Sequence, residues 1–201
     1  MTDHFALLGV PRRPWLGAEL LKQRFLELSA DCHPDRVHHA NEGDKLAAQN
    51  RFTELNSAYQ ALLDHRERLL GLIELELGTR TNEMQPIPPD LMTLFLEVGK
   101  LCREADAFLA DKATHSSPLL KVELFERGHL WVEKLVELQQ RVEGWRDGLL
   151  AEIRELDSGW EALTSAEKPE RLRLLQRIAG LMNYSKKWLT QIQERIVQLS
   201  F

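Results

Sequence analysis

Cysteine is scarce in this 201-residue chain: Cys32 and Cys102 are the only two, and they lie far apart in no paired motif. That excludes a disulfide framework and reads as two free thiols in a reducing compartment. A basic excess is missing as well. Net charge is −5 and the sequence pI is about 5.8, which excludes a general nucleic-acid binder. No apolar run approaches the roughly 20 residues that a membrane-crossing helix needs. The start, Met1-Thr2-Asp3-His4, has neither the basic and apolar parts of a signal peptide nor the Arg- and Ser-rich character of a transit peptide. The expectation is a cytoplasmic protein that meets neither membrane nor nucleic acid. There is no phosphate-binding glycine loop, no nucleophile elbow and no metalloprotease helix motif, so no enzyme and no cofactor is expected. Cys32, His33, His38 and His39 are close in sequence, but Cys32 falls on an apolar stripe, and no metal site is assigned there.

What the chain has in quantity is helical periodicity. Hydrophobic residues make up 43% and charged residues 28%, the balance of a globular protein. Phe5-Ala6-Leu7-Leu8-Gly9-Val10-Pro11 is a short apolar turn stopped by Gly9 and Pro11. Beyond Pro14, Trp15 and Gly17, residues Leu21, Phe25, Leu28 and Cys32 recur at helical spacing, with Lys22, Arg24, Glu27 and Asp31 between them. This predicts an amphipathic helix. It must end at Cys32-His33-Pro34-Asp35-Arg36, because Pro34 cannot continue a helix and drives His33 out of the helical region. A polar stretch, 37–44, precedes a second helix over about 45–63, whose apolar face is Phe52, Leu55, Ala58, Tyr59 and Leu62. A third runs over 65–77 and stops at Gly78. Two amphipathic helices joined by a short turn bury their faces as an antiparallel hairpin. The loop at His33 and Asp35 is then a charged contact point for another protein.

The segment resembles a J-domain. Phe-x-x-Leu-Gly-Val matches at Phe5 to Val10, His-Pro-Asp at His33-Pro34-Asp35, and Phe-x-x-Leu-x-x-Ala-Tyr-x-x-Leu at Phe52, Leu55, Ala58, Tyr59 and Leu62. A bare His-Pro-Asp tripeptide occurs by chance in on the order of one chain in a hundred, so the flanking helices carry the match. The resemblance implies docking on a DnaK-type chaperone ATPase and stimulation of its ATP hydrolysis. His33, Pro34, Asp35, Arg36, Lys22 and Arg24 are the docking candidates. Asp35 offers a carboxylate suited to an arginine, and Pro34 fixes the loop so that less entropy is lost on docking. Glu27 and Asp31 stand where that family commonly has lysine or arginine. A mixed face implies weaker long-range steering and a dedicated partner; an ordinary solvated face is the alternative.

Residues 79–89 read as a linker rich in Thr, Asn, Gln and proline. No Gly/Phe-rich region and no zinc module follow, which separates the chain from the larger multi-domain J-proteins. Three further helices are expected, over 90–111 with Asp90 as N-cap, over 118–156, and over 169–200 with Pro169 in its first turn. The second carries Trp131, Leu135, Leu138, Val142, Trp145, Leu149, Ile153 and Leu156 on one stripe. The third carries Leu175, Ile178, Met182, Leu189, Ile192, Ile196 and Leu199. Steps of three and four are the pattern of bundles and coiled coils. On the first, Leu91, Leu94, Val98, Leu101, Ala105 and Phe108 make a core face, while Met92 and Leu96 fall nearly opposite beside Gly99, with Phe95 at the edge. Apolar residues on both sides of a helix mean two buried faces or one exposed patch.

The whole layout resembles the HscB co-chaperones of iron-sulfur cluster assembly, an N-terminal J-domain followed by a three-helix domain. Size and order, the Leu91-Met92 pair, and the closing helix to Ser200-Phe201 carry the match. The resemblance implies an HscA-type ATPase as one partner and an IscU-like scaffold as the other, with Leu91, Met92 and Phe95 carried over as client candidates; Leu96 joins them from its place beside Met92 on the helix face. The family's glutamate-rich run is replaced here by Thr93, Leu96, Val98 and Gly99, with Glu97 and Glu104 keeping some acidity. The expectation is therefore an all-α chain: a J-domain hairpin with accessory helices at 1–77, a linker at 78–89, and a C-terminal antiparallel three-helix bundle at 90–201 that binds the client. The alternatives are a J-domain protein delivering a different client, and a structural adaptor that oligomerises through its long helices.

Overall fold

The computed structural model describes residues 2–33, 36, 41–79, 87–114 and 118–200. Among them are seven α-helices and no strand: α1 His4–Leu8, α2 Ala18–Ser29, α3 Glu42–Leu63, α4 His65–Leu77, α5 Met92–Thr114, α6 Pro118–Asp157 and α7 Lys168–Leu199. The all-helical expectation holds. The chain forms two compact units. One is residues 1–83 with 152–179, the other 84–151 with 180–201, so α6 and α7 each contribute to both. A division read along the sequence does not anticipate the grouping of 152–179 with the N-terminal helices.

In the first unit, Asp3 caps α1 by accepting from the Ala6 N–H at 3.0 Å, and Gly9 ends it in the left-handed region at φ 62°. That conformation favours a residue without Cβ. Phe25 of α2 stacks on Tyr59 of α3 at 4.9 Å, and His33, farther along, meets Phe52 edge-on at 5.8 Å. Rising numbers on one helix meet falling numbers on the other, so α2 and α3 are antiparallel. Asn41 caps α3 by accepting from the Asp44 N–H at 2.9 Å, which starts the helix three residues before the expected Lys45. Asp64 caps α4 by accepting from Arg66 and Glu67, and Gly78 ends it at φ 73°. Phe5, Leu8, Leu21, Leu55, Ala58, Leu62, Leu69, Leu72 and Ile73 are fully buried.

A polar node lies inside this unit. Arg68 is 1% exposed; its Nε donates to the Pro14 carbonyl at 2.9 Å, Nη1 to the Leu62 carbonyl at 2.7 Å, and Nη2 lies 2.5 Å from His65 Nδ1. A guanidinium only donates, so His65 Nδ1 is the acceptor. Burial lowers the Arg68 pKa to about 10, against the opposing pull of Asp157 and Asp64. Asp157, at the end of α6, accepts from Arg13 Nε at 3.0 Å, from Arg13 Nη2 at 2.5 Å and from the Trp15 N–H at 3.0 Å. Trp15 is stacked on His65 at 5.2 Å with the Arg154 guanidinium 4.2 Å from its ring centre. Trp160 Nε1 donates to the Arg12 carbonyl at 2.9 Å, and Lys168 pairs with Glu76 at 2.7 Å. The loop between α1 and α2 is thus held by residues some 140 positions later in the chain.

In the second unit, Val98, Cys102, Ala105 and Phe108 of α5 share a buried core with Leu124, Leu135, Leu138 and Val142 of α6 and Trp188, Ile192 and Leu199 of α7. Glu97 pairs with Arg141 and Phe108 lies against Trp131, which makes α5 and α6 antiparallel. Trp145 meets Trp188 at 5.4 Å, and Gly128 lies beside the Leu199 carbonyl, so α6 and α7 are antiparallel too. Arg195 Nε donates to the Cys102 carbonyl at 3.2 Å and its Nη2 to Asp106 at 2.6 Å. The expected three-helix bundle is present. Asp90 does not begin α5 as its N-cap; it falls inside a 3-10 turn, Pro89–Leu91, that runs straight into the helix.

Candidate chaperone-docking and client faces

His33 follows the 3-10 turn Ala30–Cys32 with extended backbone, φ −65° and ψ 135°, as a residue before proline requires. Its ring rests on Phe52, whose ring is 5.9 Å from Phe25, so the aromatic contacts of the hairpin brace the first residue of the loop. The Arg36 N–H donates to the His33 carbonyl at 2.9 Å, and Arg36 Nη1 reaches back to the Ala30 carbonyl at 3.3 Å and Asp31 Oδ1 at 2.9 Å. His33 and Arg36 are therefore brought together at the end of α2. Pro34 and Asp35 lie outside the described residues, as do His38 and His39. Lys22 is exposed on α2, three turns before the loop. Arg24 is half-buried and committed to the fold: its Nε donates to the Leu8 carbonyl at 3.3 Å and its Nη1 to Glu27 at 2.9 Å. Hydrogen bonds from Gln23 and then Arg24 hold the Glu27 carboxyl below its ordinary range. Cys32 is buried, with Sγ 3.5 Å from the Ser29 carbonyl. Among the described residues no three His, Cys, Asp or Glu side chains gather as a metal site.

The client candidates separate into two kinds. Leu91 is buried at 8% exposure, whereas Met92 is 42%, Phe95 38% and Leu96 60% exposed. Phe95 leans on Trp188 at 6.1 Å without being covered. The second apolar side of α5 is thus an exposed patch. Behind it, Cys102 is buried, and desolvation raises its thiol pKa, which makes it an inert packing residue.

Comparison with known proteins places the chain. The family model described as DnaJ domain matches residues 3–70. A protein named Co-chaperone protein HscB homolog, from Vibrio campbellii, is 30% identical over 182 residues, covering 90% of this chain and 93% of that one. The chain belongs to the HscB co-chaperone family. A second HscB homolog, from Vibrio parahaemolyticus, is 28% identical over 184 residues with the same coverage. Among solved structures, the human co-chaperone HscB matches with a TM-score of 0.59 at 18% identity, over 98% of this chain and 81% of that one. Chaperone HscB from Vibrio cholerae matches with a TM-score of 0.52 at 24% identity, over 95% and 99%. The N-terminal helices are the J-domain of an HscB-type fold, and a J-domain implies a partner of the DnaK type. Membership sets the chain among co-chaperones, not enzymes. No described helix is long and apolar enough to cross a membrane. The Arg13–Asp157 and Arg68 node of this HscB-family chain is not legible in the sequence, since its partners are up to 144 residues apart. The one local signal is an arginine set immediately before Leu69 and Leu70 in a leucine-rich helix.

Proposed function

We propose that this chain docks on an HscA- or DnaK-type chaperone through the loop His33-Pro34-Asp35, stimulates its ATP hydrolysis, and delivers an IscU-like cluster scaffold held by its C-terminal domain, working in the cytoplasm. The observation that carries the reading is the J-domain hairpin that ends in an extended His33 braced on Phe52. In this reading, residues 1–77 recruit the ATPase and residues 90–201 hold the client, with 78–89 between them. Met92, Phe95 and Leu96 support the second half, because they leave an apolar patch uncovered on α5. The chain itself performs no covalent chemistry; the partner owns the active site, and His33 and Asp35 act as contacts. Arg36, braced by Asp31, shapes the loop's far side.

A second client is favoured by one observation. The exposed side of α5 carries Leu96 and Gly99 where the family resemblance leads one to expect glutamates, so its recognition chemistry is more apolar. Steady-state ATPase of the chaperone, measured with and without this protein, tests the docking half: His33→Gln should abolish most of the stimulation, and stimulation equal to wild type rejects it. Capture through residues 90–201 within the intact chain tests the client half: recovery of a scaffold that is lost with Leu96→Lys supports it, and recovery of a different protein with no scaffold favours the other client.

A further inference from the structure

The exposed side of α5 does not stop at its apolar patch. At about 100° per residue, Leu96, Gly99 and Arg103 all fall within roughly 40° of Met92, in one row along the helix. Arg103 is exposed, and its Nη1 lies 3.5 Å from the point that a Cβ on Gly99 would occupy. The guanidinium therefore reaches back over Gly99 toward Leu96, the direction in which helical side chains lean. The carboxylates around it are already engaged. Glu97, on the side of the helix that faces α6, accepts from Arg141 at 2.5 Å and 2.7 Å. Glu104 pairs with Lys100 at 3.9 Å. Asp106 is the one acidic residue three or four places from Arg103, and it accepts from Arg195 Nη2 at 2.6 Å. Among the described residues Arg103 has no ion-pair partner.

A guanidinium carries five N–H donors and no acceptor. In the free chain water takes those donors. A partner that covers Met92, Phe95 and Leu96 removes the water from the end of the same row, and a charge buried without a counter-charge is costly. Resting on the client reading above, we propose that Arg103 is a specificity-determining contact of this face: the client it accepts is a protein that meets Met92, Phe95 and Leu96 with apolar side chains and Arg103 with a carboxylate side chain. The carboxylate sits about 10 Å beyond the apolar contact, the rise of the seven residues from Leu96 to Arg103. The planar fork of arginine grips a carboxylate through two parallel hydrogen bonds. A client with lysine or arginine at that place is rejected by the like charge. The selection is opposite in sign to the one a glutamate in this row would make, and Glu97 does not cancel it, because its charge is spent on Arg141.

The test is equilibrium binding of the intact chain to an IscU-like scaffold. Arg103→Glu should raise Kd more than about tenfold while leaving the helical circular dichroism unchanged, since the side chain is exposed. Arg103→Lys keeps the charge and loses the fork, and its Kd should fall between those of wild type and Arg103→Glu. Single Asp→Lys and Glu→Lys variants of the scaffold give the decisive readout: one of them should bind wild type poorly and bind Arg103→Glu at least about fivefold better. A Kd for Arg103→Glu within about twofold of wild type overturns the proposal, as does a loss that no scaffold charge reversal recovers. Leu96→Lys separates the two levels. If it binds like wild type, or if wild type does not bind the scaffold, the client reading itself fails. If it loses binding while Arg103→Glu keeps it, the charge selection alone fails.

Discussion

Asp157→Asn is the sharpest perturbation of the fold. The carboxylate accepts two hydrogen bonds from Arg13 and one from the Trp15 N–H, and it is one of two acidic groups whose charge favours the buried Arg68. Asparagine keeps the shape. Its single carbonyl oxygen, in the place of Oδ1, can still take the Trp15 N–H and Arg13 Nε, but its amide then faces Arg13 Nη2, donor against donor. A hydrogen bond to a charged group contributes about 1.5–3 kcal/mol, and breaking a buried pair costs about 3–5 kcal/mol because a charge is left uncompensated. Arg13 is a third exposed, so water replaces part of what it loses, which points to the lower end, about 3 kcal/mol. Against a total stability of roughly 5–15 kcal/mol that is a large fraction. Equilibrium urea unfolding, followed by far-UV circular dichroism and by tryptophan fluorescence, reads it directly, since Trp15 and Trp160 flank the node. The exposed pair Arg12–Asp3 serves as the control, with Arg12→Gln expected below about 1 kcal/mol. A loss below about 1 kcal/mol for Asp157→Asn would refute the reasoning and reduce the node to an ordinary surface pair.

Three further outcomes are expected. Gly9→Ala should lower stability by about 1–2 kcal/mol, because φ is 62° and the new Cβ would press on Arg24 Nη2; thermal unfolding checks it, and an unchanged midpoint would be wrong. Glu97 has its pKa lowered, first by the hydrogen bond from Arg141. Its stabilising effect is complete above the unfolded value of about 4.3 and disappears as pH falls through the lower folded value. Carboxyl titration by NMR should therefore show Glu97 ionised below the ordinary glutamate range in wild type and returned toward it in Arg141→Gln; no difference between the two would remove the pair from the account. Cys102, buried and with its thiol pKa raised, should react with a thiol reagent far more slowly in the folded than in the urea-unfolded chain, and equal rates would contradict its burial.

Where local chemistry decides the outcome, the sequence was a good guide. Gly78 ends α4 and Pro118 opens α6 at the positions their backbone restrictions imply. The apolar steps of α5, α6 and α7 led to the bundle. The start of α3 lies inside the polar stretch because Asn41, with Asp44 three places on, is a cap and not part of a loop. Asp90 has the residue type of a cap and follows two prolines, but the chain winds a 3-10 turn over Pro89–Leu91 ahead of the helix. The patch at Met92 and Leu96 could be located by angle, but its exposure depends on what the other helices cover, which spacing does not encode. The node at Arg13, Arg68 and Asp157 is beyond any local reading, since charged residues in amphipathic helices look the same whether they face water or a partner from the far end of the chain. Arg24 is the same case in reverse: a basic residue near the loop that packs back on Gly9 and Leu8.

The central claim is that one chain both recruits the ATPase and holds the client. The most direct measurement is scaffold-dependent ATPase stimulation by an equimolar mixture of two single-defect chains, His33→Gln and Leu96→Lys, compared with wild type at the same total concentration. Each defect is confined to one function, so the account predicts that the mixture stays near the level of the Leu96→Lys chain alone, because neither molecule can bring client and chaperone together. Stimulation restored to the wild-type level would mean that the two functions need not share a molecule, and would contradict the account.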